Sequence, residues 1–113
     1  MHPLASGKAL LASLTDEELD RYFAETERKR FTPNTITAEK ALRKEIGAAR
    51  KTGFASTDEE FNLGIFSIGR VVTIDGEAAG ALSVAIPKVR CDETTRSRVM
   101  DLLERTASLL ETP

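Results

Sequence analysis

The stretch that decides the fold is Gly64-Ile65-Phe66-Ser67-Ile68-Gly69-Arg70-Val71-Val72-Thr73-Ile74-Asp75-Gly76-Glu77-Ala78-Ala79-Gly80-Ala81-Leu82-Ser83-Val84-Ala85-Ile86-Pro87. Two β-rich runs, 64–74 and 77–86, flank Asp75-Gly76, a strong hairpin signal. Pro87 ends the second run. Strand side chains alternate between faces. In the first run the even positions are Phe66, Ile68, Arg70, Val72 and Ile74, and the odd ones Ile65, Ser67, Gly69, Val71 and Thr73. In the second run the even positions are Ala78, Gly80, Leu82, Val84 and Ile86, and the odd ones Glu77, Ala79, Ala81, Ser83 and Ala85. Each strand therefore carries a bulkier face and a face rich in Ser, Gly and Ala.

How the faces combine depends on the turn. A two-residue Asp75-Gly76 loop pairs Ile74 with Glu77 and sets even positions against odd ones. A three-residue loop with a left-handed Gly76 pairs Thr73 with Glu77 and keeps odd with odd. In that second register Ser67, Gly69, Ala81, Ser83 and Ala85 form one small-residue face. Such a face leaves room for a ligand; equally, it lets a helix pack closely.

Upstream of the hairpin, Phe54-Ala55-Ser56-Thr57 reads as a short strand and Asp58-Glu59-Glu60 as a turn or bulge. Before that come three helical patterns. The first opens at Ala5 or Ser6 and runs to about Ser13, with Leu10, Leu11 and Leu14 as its stripe. Thr15 followed by Glu18 matches a capping box, and the acidic first turn suits the helix dipole. That second helix buries Leu19, Tyr22 and Phe23 and is expected to end in Arg28-Lys29-Arg30. Phe31-Thr32-Pro33-Asn34 is a loop. Thr37 is expected to cap a third helix over about 38–52, with Gly53 as its left-handed terminator. After the hairpin, Asp92 caps a helix over about 93–111 whose expected apolar face is Val99, Leu102, Leu103, Thr106 and Leu110. Three strands make a small sheet for four helices, as though preceding strands were missing.

Composition narrows the function classes. The 113 residues suffice for one domain with a modest core. A net charge of −2 gives no general pull toward nucleic acid or an anionic membrane. Aromatic residues make up 5% of the chain and tryptophan is absent, too few rings for a single-strand stacking platform. One cysteine, Cys91, allows neither an internal disulfide nor a multi-cysteine metal site, and fits a reducing, cytoplasmic setting. No apolar run approaches the roughly 18 residues of a membrane span. The only histidine, His2, lies far in sequence from Cys91, so no nucleophile has an identifiable base and no enzyme is expected.

Four blocks resemble the effector-binding domain of IclR-type transcriptional regulators. They are residues 2–11 with Gly7-Lys8-Ala9-Leu10-Leu11; Phe31-Thr32-Pro33-Asn34-Thr35-Ile36-Thr37; Gly53-Phe54-Ala55 with Asp58-Glu59-Glu60 and Gly64; and Ala81-Leu82-Ser83-Val84-Ala85-Ile86-Pro87. Their order and spacing match over nearly the whole chain. The resemblance implies an α+β, GAF-like fold: a curved antiparallel sheet with helices, holding a small, often carboxylate-bearing effector. It also implies a larger protein. The chain, 1–113, would then be the C-terminal part of the effector-binding domain, without its N-terminal strands. DNA would be bound only through a winged helix-turn-helix outside these residues. A homo-oligomer, dimer or tetramer, is implied as well, with no cofactor and no membrane partner.

Carried over by position, the implied ligand contacts fall on Ala5 and Ser6 through their backbone N–H groups, and on Thr57, Asp58, Ser67, Ser83 and Ala85. Thr57 stands where relatives often have Asp, and Ser67 where they have Cys or another small residue. An acidic contact is therefore transferred to Asp58. Some relatives bind a metal; His2 and Cys91 lie too far apart for a ligand pattern, and none is expected here. A self-associating interaction module without a ligand is the alternative expectation.

Overall fold

The computed structural model describes residues 2–111. Its elements are α1 (Ala5–Ala12), α2 (Asp16–Glu25), α3 (Glu39–Thr52), β1 (Ala55–Asp58), β2 (Ile65–Ile74), β3 (Glu77–Pro87), a 3-10 turn at Lys88–Arg90, and α4 (Glu93–Leu110). The three strands form one antiparallel sheet in the order β1-β2-β3, so the fold is α+β.

The hairpin combines the two registers weighed from the sequence: the turn of the first and, further along, the parity of the second. Ile74 pairs directly with Glu77, so the turn is the two-residue one. Asp75 and Gly76 have φ of 52° and 80°, the left-handed pair a type I′ turn requires. The ladder then shifts: Thr73 faces Ala78 but Val72 faces Gly80, and Ala79 has no opposite number. This bulge changes the parity. Beyond it odd faces odd, with Val71 opposite Ala81, Gly69 opposite Ser83 and Ser67 opposite Ala85. On the other side of β2, Gly69 faces Ala55 and Ser67 faces Thr57.

The bulky face packs on α4. Phe66, Ile68, Ile86 and Leu103 form its buried cluster, flanked by Leu82, Val84, Val99 and Met100. The small-residue face packs on α1, where Ala9 meets Ala55 and Ala49 of α3. The close approach centres on Gly69. A Cβ there would stand 2.7 Å from the carbonyl carbon and oxygen of Ala5 and 3.0 Å from the Ser6 nitrogen. Over β2, then, small residues do let a helix pack closely. Outside α1, Leu11, Leu19, Phe23, Leu42 and Ile46 join α1, α2 and α3 in a second core.

Helix signals fare unevenly. The Thr15–Glu18 capping box is complete, Asp92 accepts from the Thr95 N–H, and Gly53 ends α3 at φ 84°. α2, however, stops at Glu25 and does not reach the basic run. Arg28 instead donates to the Thr37 carbonyl over 2.7 Å, and Arg30 to the Pro33 carbonyl over 2.9 Å, so these charges fasten a loop. Thr37 is not the cap of α3; Ala38 holds that position without a side-chain bond. On α4 the buried residues are Leu103 and Ala107, while Leu102 and Leu110 of the expected face are 57% and 49% exposed. That face has sheet beneath only part of its width.

Candidate functional site

The register collects six of the seven sequence-expected site residues on one face. Thr57, Ser67 and Ala85 lie in one row across the sheet, and Ala55, Gly69 and Ser83 in the next. The start of α1 stands over Gly69, bringing Ala5 and Ser6 to the same place. Cover falls away across the face. Thr57 is buried, Ser67 half-buried, and Ser83 and Ala85 are exposed on β3.

The helix start carries unspent donors. Leu4 is the N-cap of α1 and offers no side-chain cap, and the first intrahelical bond is Lys8 N–H to the Leu4 carbonyl, 2.9 Å. The N–H groups of Ala5, Ser6 and Gly7 find no acceptor among the described residues. Such donors, at the positive end of a helix dipole, favour an anion.

Asp58 is the residue the structure sets apart. Strand alternation turns it to the opposite face, where it lies across from Phe66 and pairs with Lys88. The rest of the acidic trio is also committed. Glu59, in a left-handed conformation at φ 57°, takes the Gly64 N–H on its carboxylate at 2.8 Å. Glu60 is 5% exposed and reaches Lys8. No free carboxylate pair for acid–base chemistry remains in this trio.

The Lys8 ion pair is the feature missed at the sequence level. Its ammonium, 1% exposed, lies 3.0 Å and 2.8 Å from the two Glu60 oxygens and 3.7 Å from Glu45. It also donates to the Ser56 carbonyl at 3.0 Å. One side chain thus joins α1 to β1, to the loop after it and to α3. Burial pushes the Glu60 carboxyl above the ordinary glutamate range, and the Lys8 ammonium pulls it back down. The available signal was a lysine placed one residue before Ala9 on a helix side that is otherwise buried. The same loop is held by Thr35, whose hydroxyl donates to the Glu60 carbonyl at 2.5 Å.

His2 is not frayed. Its ring is buried, donates from Nε2 to the Lys29 carbonyl at 2.6 Å, and packs beside Phe31, which packs on Phe61. Burial pulls its pKa below the usual histidine value. Cys91 accepts from Arg96 Nε at 3.2 Å. No group of three or more His, Cys, Asp or Glu side chains placed to hold a metal occurs among the described residues. No helix is long and apolar enough to cross a membrane among those residues.

Residues 1–112 match the family model described as "Bacterial transcriptional regulator IclR C-terminal". The HTH-type transcriptional repressor AllR of Salmonella typhimurium is 33% identical over 113 residues, covering 99% of this chain and 42% of AllR. Among solved structures, the Thermotoga maritima IclR superposes with a TM-score of 0.89 at 31% identity, over 95% of this chain and 44% of that one. The inducer-binding domain of the PobR transcription factor from Acinetobacter, a double mutant in complex with 3-hydroxybenzoic acid, gives a TM-score of 0.91 at 29% identity. That match covers 98% of this chain and 65% of the PobR chain. The chain thus spans about two fifths of the length of the curated relatives it matches, 42% in AllR.

Proposed function

Because the chain belongs to the family of IclR-type regulator C-terminal domains, we propose that it binds a small organic acid as the effector-sensing part of a transcriptional regulator. The observation that carries this reading is the start of α1: the Ala5, Ser6 and Gly7 N–H groups, without an acceptor among the described residues, lie where the Ala5–Ser6 peptide rests on Gly69 beside a hydroxyl-bearing sheet face. A carboxylate there would accept from the Ala5 and Ser6 N–H groups. Thr57, Ser67, Ser83 and Ala85 would line the body of the ligand, with the hydroxyls of the first three available for its polar substituents. Asp58 would act from the far face, holding the end of β1 through Lys88. The acid found with the PobR domain, 3-hydroxybenzoic acid, has this chemistry.

In this reading residues 1–113 form the C-terminal part of an effector-binding domain, and DNA is contacted through a domain outside them. The protein acts in the cytoplasm as a homo-oligomer and catalyses no reaction. Effector binding biases between two arrangements of the whole regulator.

Thermal denaturation with 3-hydroxybenzoate and shorter carboxylates, against the matching neutral amides, tests the proposal. Stabilisation by an acid and not by its amide is expected, and is lost in Ser67→Leu. Equal response to acid and amide, or none at millimolar concentration, removes the effector reading. It leaves the interaction module, which the exposed Leu102, Leu109 and Leu110 of α4 favour.

A further inference from the structure

We infer that His2 is a proton-operated latch on the amide end of α1: its neutral ring pins the residues ahead of the helix to the loop between α2 and α3, and a protonated ring releases them. That the latch regulates ligand binding rests on the effector reading; the latch itself does not.

The latch is built from buried parts. His2 is 5% exposed, and its Nε2 donates to the Lys29 carbonyl at 2.6 Å. The ring packs beside Phe31, centroids 6.1 Å apart, and Phe31 packs on Phe61 of the loop after β1 at 5.1 Å. The loop that His2 grips is a fixed platform. Arg28 holds the Thr37 carbonyl, and the Thr32 and Thr35 hydroxyls donate to the Glu59 and Glu60 carbonyls. The part free to move is the short segment between His2 and the helix. Only Pro3 and Leu4 separate the ring from Ala5, and Pro3 is buried, with φ fixed by its ring. The next side-chain anchor is Lys8, bound to Glu60 and to the Ser56 carbonyl. The Ala5, Ser6 and Gly7 N–H groups therefore lie between two fastenings, of which His2 is the outer one.

A neutral imidazole has one N–H and one lone pair. With Nε2–H spent on Lys29, an added proton goes to Nδ1 and makes a buried cation. The groups around it do not offset that charge. α1 brings Lys8, already paired with Glu60 and Glu45. The platform brings Arg28, whose guanidinium bonds the Thr26 and Thr37 carbonyls. α2 brings the Tyr22 hydroxyl, which burial keeps neutral, and the loop after β1 brings Glu59, spent on the Gly64 N–H. Burial pulls the ring below its ordinary value of 6.5; the Lys29 carbonyl opposes this, and the Arg28 and Lys8 charges add to the fall. A released ring recovers 6.5. As pH falls below that value the open form takes a proton that the closed form refuses. The closed form then loses stability until its own lower value is passed.

Release lets the first turn fray as far as Lys8 and moves the amides off the sheet. A carboxylic ligand, with a pKa of about 4, is still ionised in this range. The loss of affinity at mildly acid pH then comes from the protein and not from the ligand.

The chain has one histidine, so one imidazole signal reports the latch. Proton NMR of the 113-residue chain between about pH 8 and about pH 5 tests this, read with hydrogen exchange at Lys8 relative to its intrinsic rate. The Lys8 N–H closes the first turn on the Leu4 carbonyl at 2.9 Å. A midpoint below 6.5 is expected, with Lys8 exchange that quickens through it. His2→Gln keeps an N–H for Lys29 and cannot titrate, so Lys8 should stay protected throughout. A midpoint at or above 6.5, Lys8 exchange that does not follow the ring, or the same quickening in His2→Gln overturns the latch. Affinity for 3-hydroxybenzoate should weaken several-fold from about pH 7.5 to about pH 5.5 in the native chain and hold in His2→Gln. Affinity that ignores pH while Lys8 opens overturns the regulatory role. No binding at any pH removes the effector reading instead, and the latch stands or falls by the spectra.

Discussion

Lys8 and Glu60 make a buried ion pair, 2.8 Å at its closest, that links the first helix to the loop leaving the first strand. Removing one partner leaves the other charge unpaired in the interior, whereas removing both leaves an apolar gap. Lys8→Met is expected to cost about 3 kcal/mol, and Glu60→Leu a similar amount. The double variant should recover most of the loss. Urea unfolding of the four proteins reads the cycle; additive losses would show that the pair contributes no coupling.

Gly69→Ala places a methyl group 2.7 Å from the Ala5 backbone. Backbone cannot yield as a side chain can, so α1 must lift. The expected loss is about 1–3 kcal/mol, of the size seen on overpacking a core. Carboxylate affinity should fall with it, since the amides move off the sheet. Gly80→Ala, with nothing within 4 Å, is the control and should change stability by less.

Acid should loosen the end of α4 first. The Arg70 guanidinium, with help from the Thr73 N–H at 2.7 Å, holds the Glu111 carboxyl below the ordinary glutamate range. A depressed carboxyl stabilises the fold fully above its unfolded value, here 4.5, and loses that contribution as pH falls through its lower folded value. Asp92, held low by the Thr95 N–H, acts in the same sense. Melting temperature should be insensitive to these groups above about pH 4.5 and fall below it. Glu111→Gln should be less stable at neutral pH and show a shallower acid slope.

In the proposed effector site, Thr57→Val and Ser67→Ala keep side-chain volume close to native and remove a hydroxyl. Each should weaken an organic acid about tenfold, near 1.4 kcal/mol, the size of one hydrogen bond. Isothermal titration with 3-hydroxybenzoate measures it. An unchanged affinity in both would move the ligand away from the row shared by Thr57, Ser67 and Ala85.

Much of the fold was legible because its signals are local. Thr15 with Glu18, Gly53, Asp75-Gly76 and Asp92 each act within four residues, and all four do what their chemistry predicts. The bulge at Ala79 was not legible. It belongs to a chain position that any alanine could hold, and it is selected by what both strands must face. The end of α2 was misread because Arg28 and Arg30 satisfy loop carbonyls as readily as helix carbonyls. Within the site, face-sharing followed from alternation once the parity was known. The Lys8–Glu60 pair spans 52 residues and left only a misplaced lysine as its trace.

The seating of Ala5 on Gly69 has a mechanical consequence. α1 is eight residues long, about 12 Å from end to end. Its first residue touches the sheet, and Leu11, one residue from its end, sits in the core shared with α2 and α3. So short a helix is stiff and has no internal joint. A displacement of its amide end would therefore carry over to Leu11, from the sheet face to the core shared with α2 and α3.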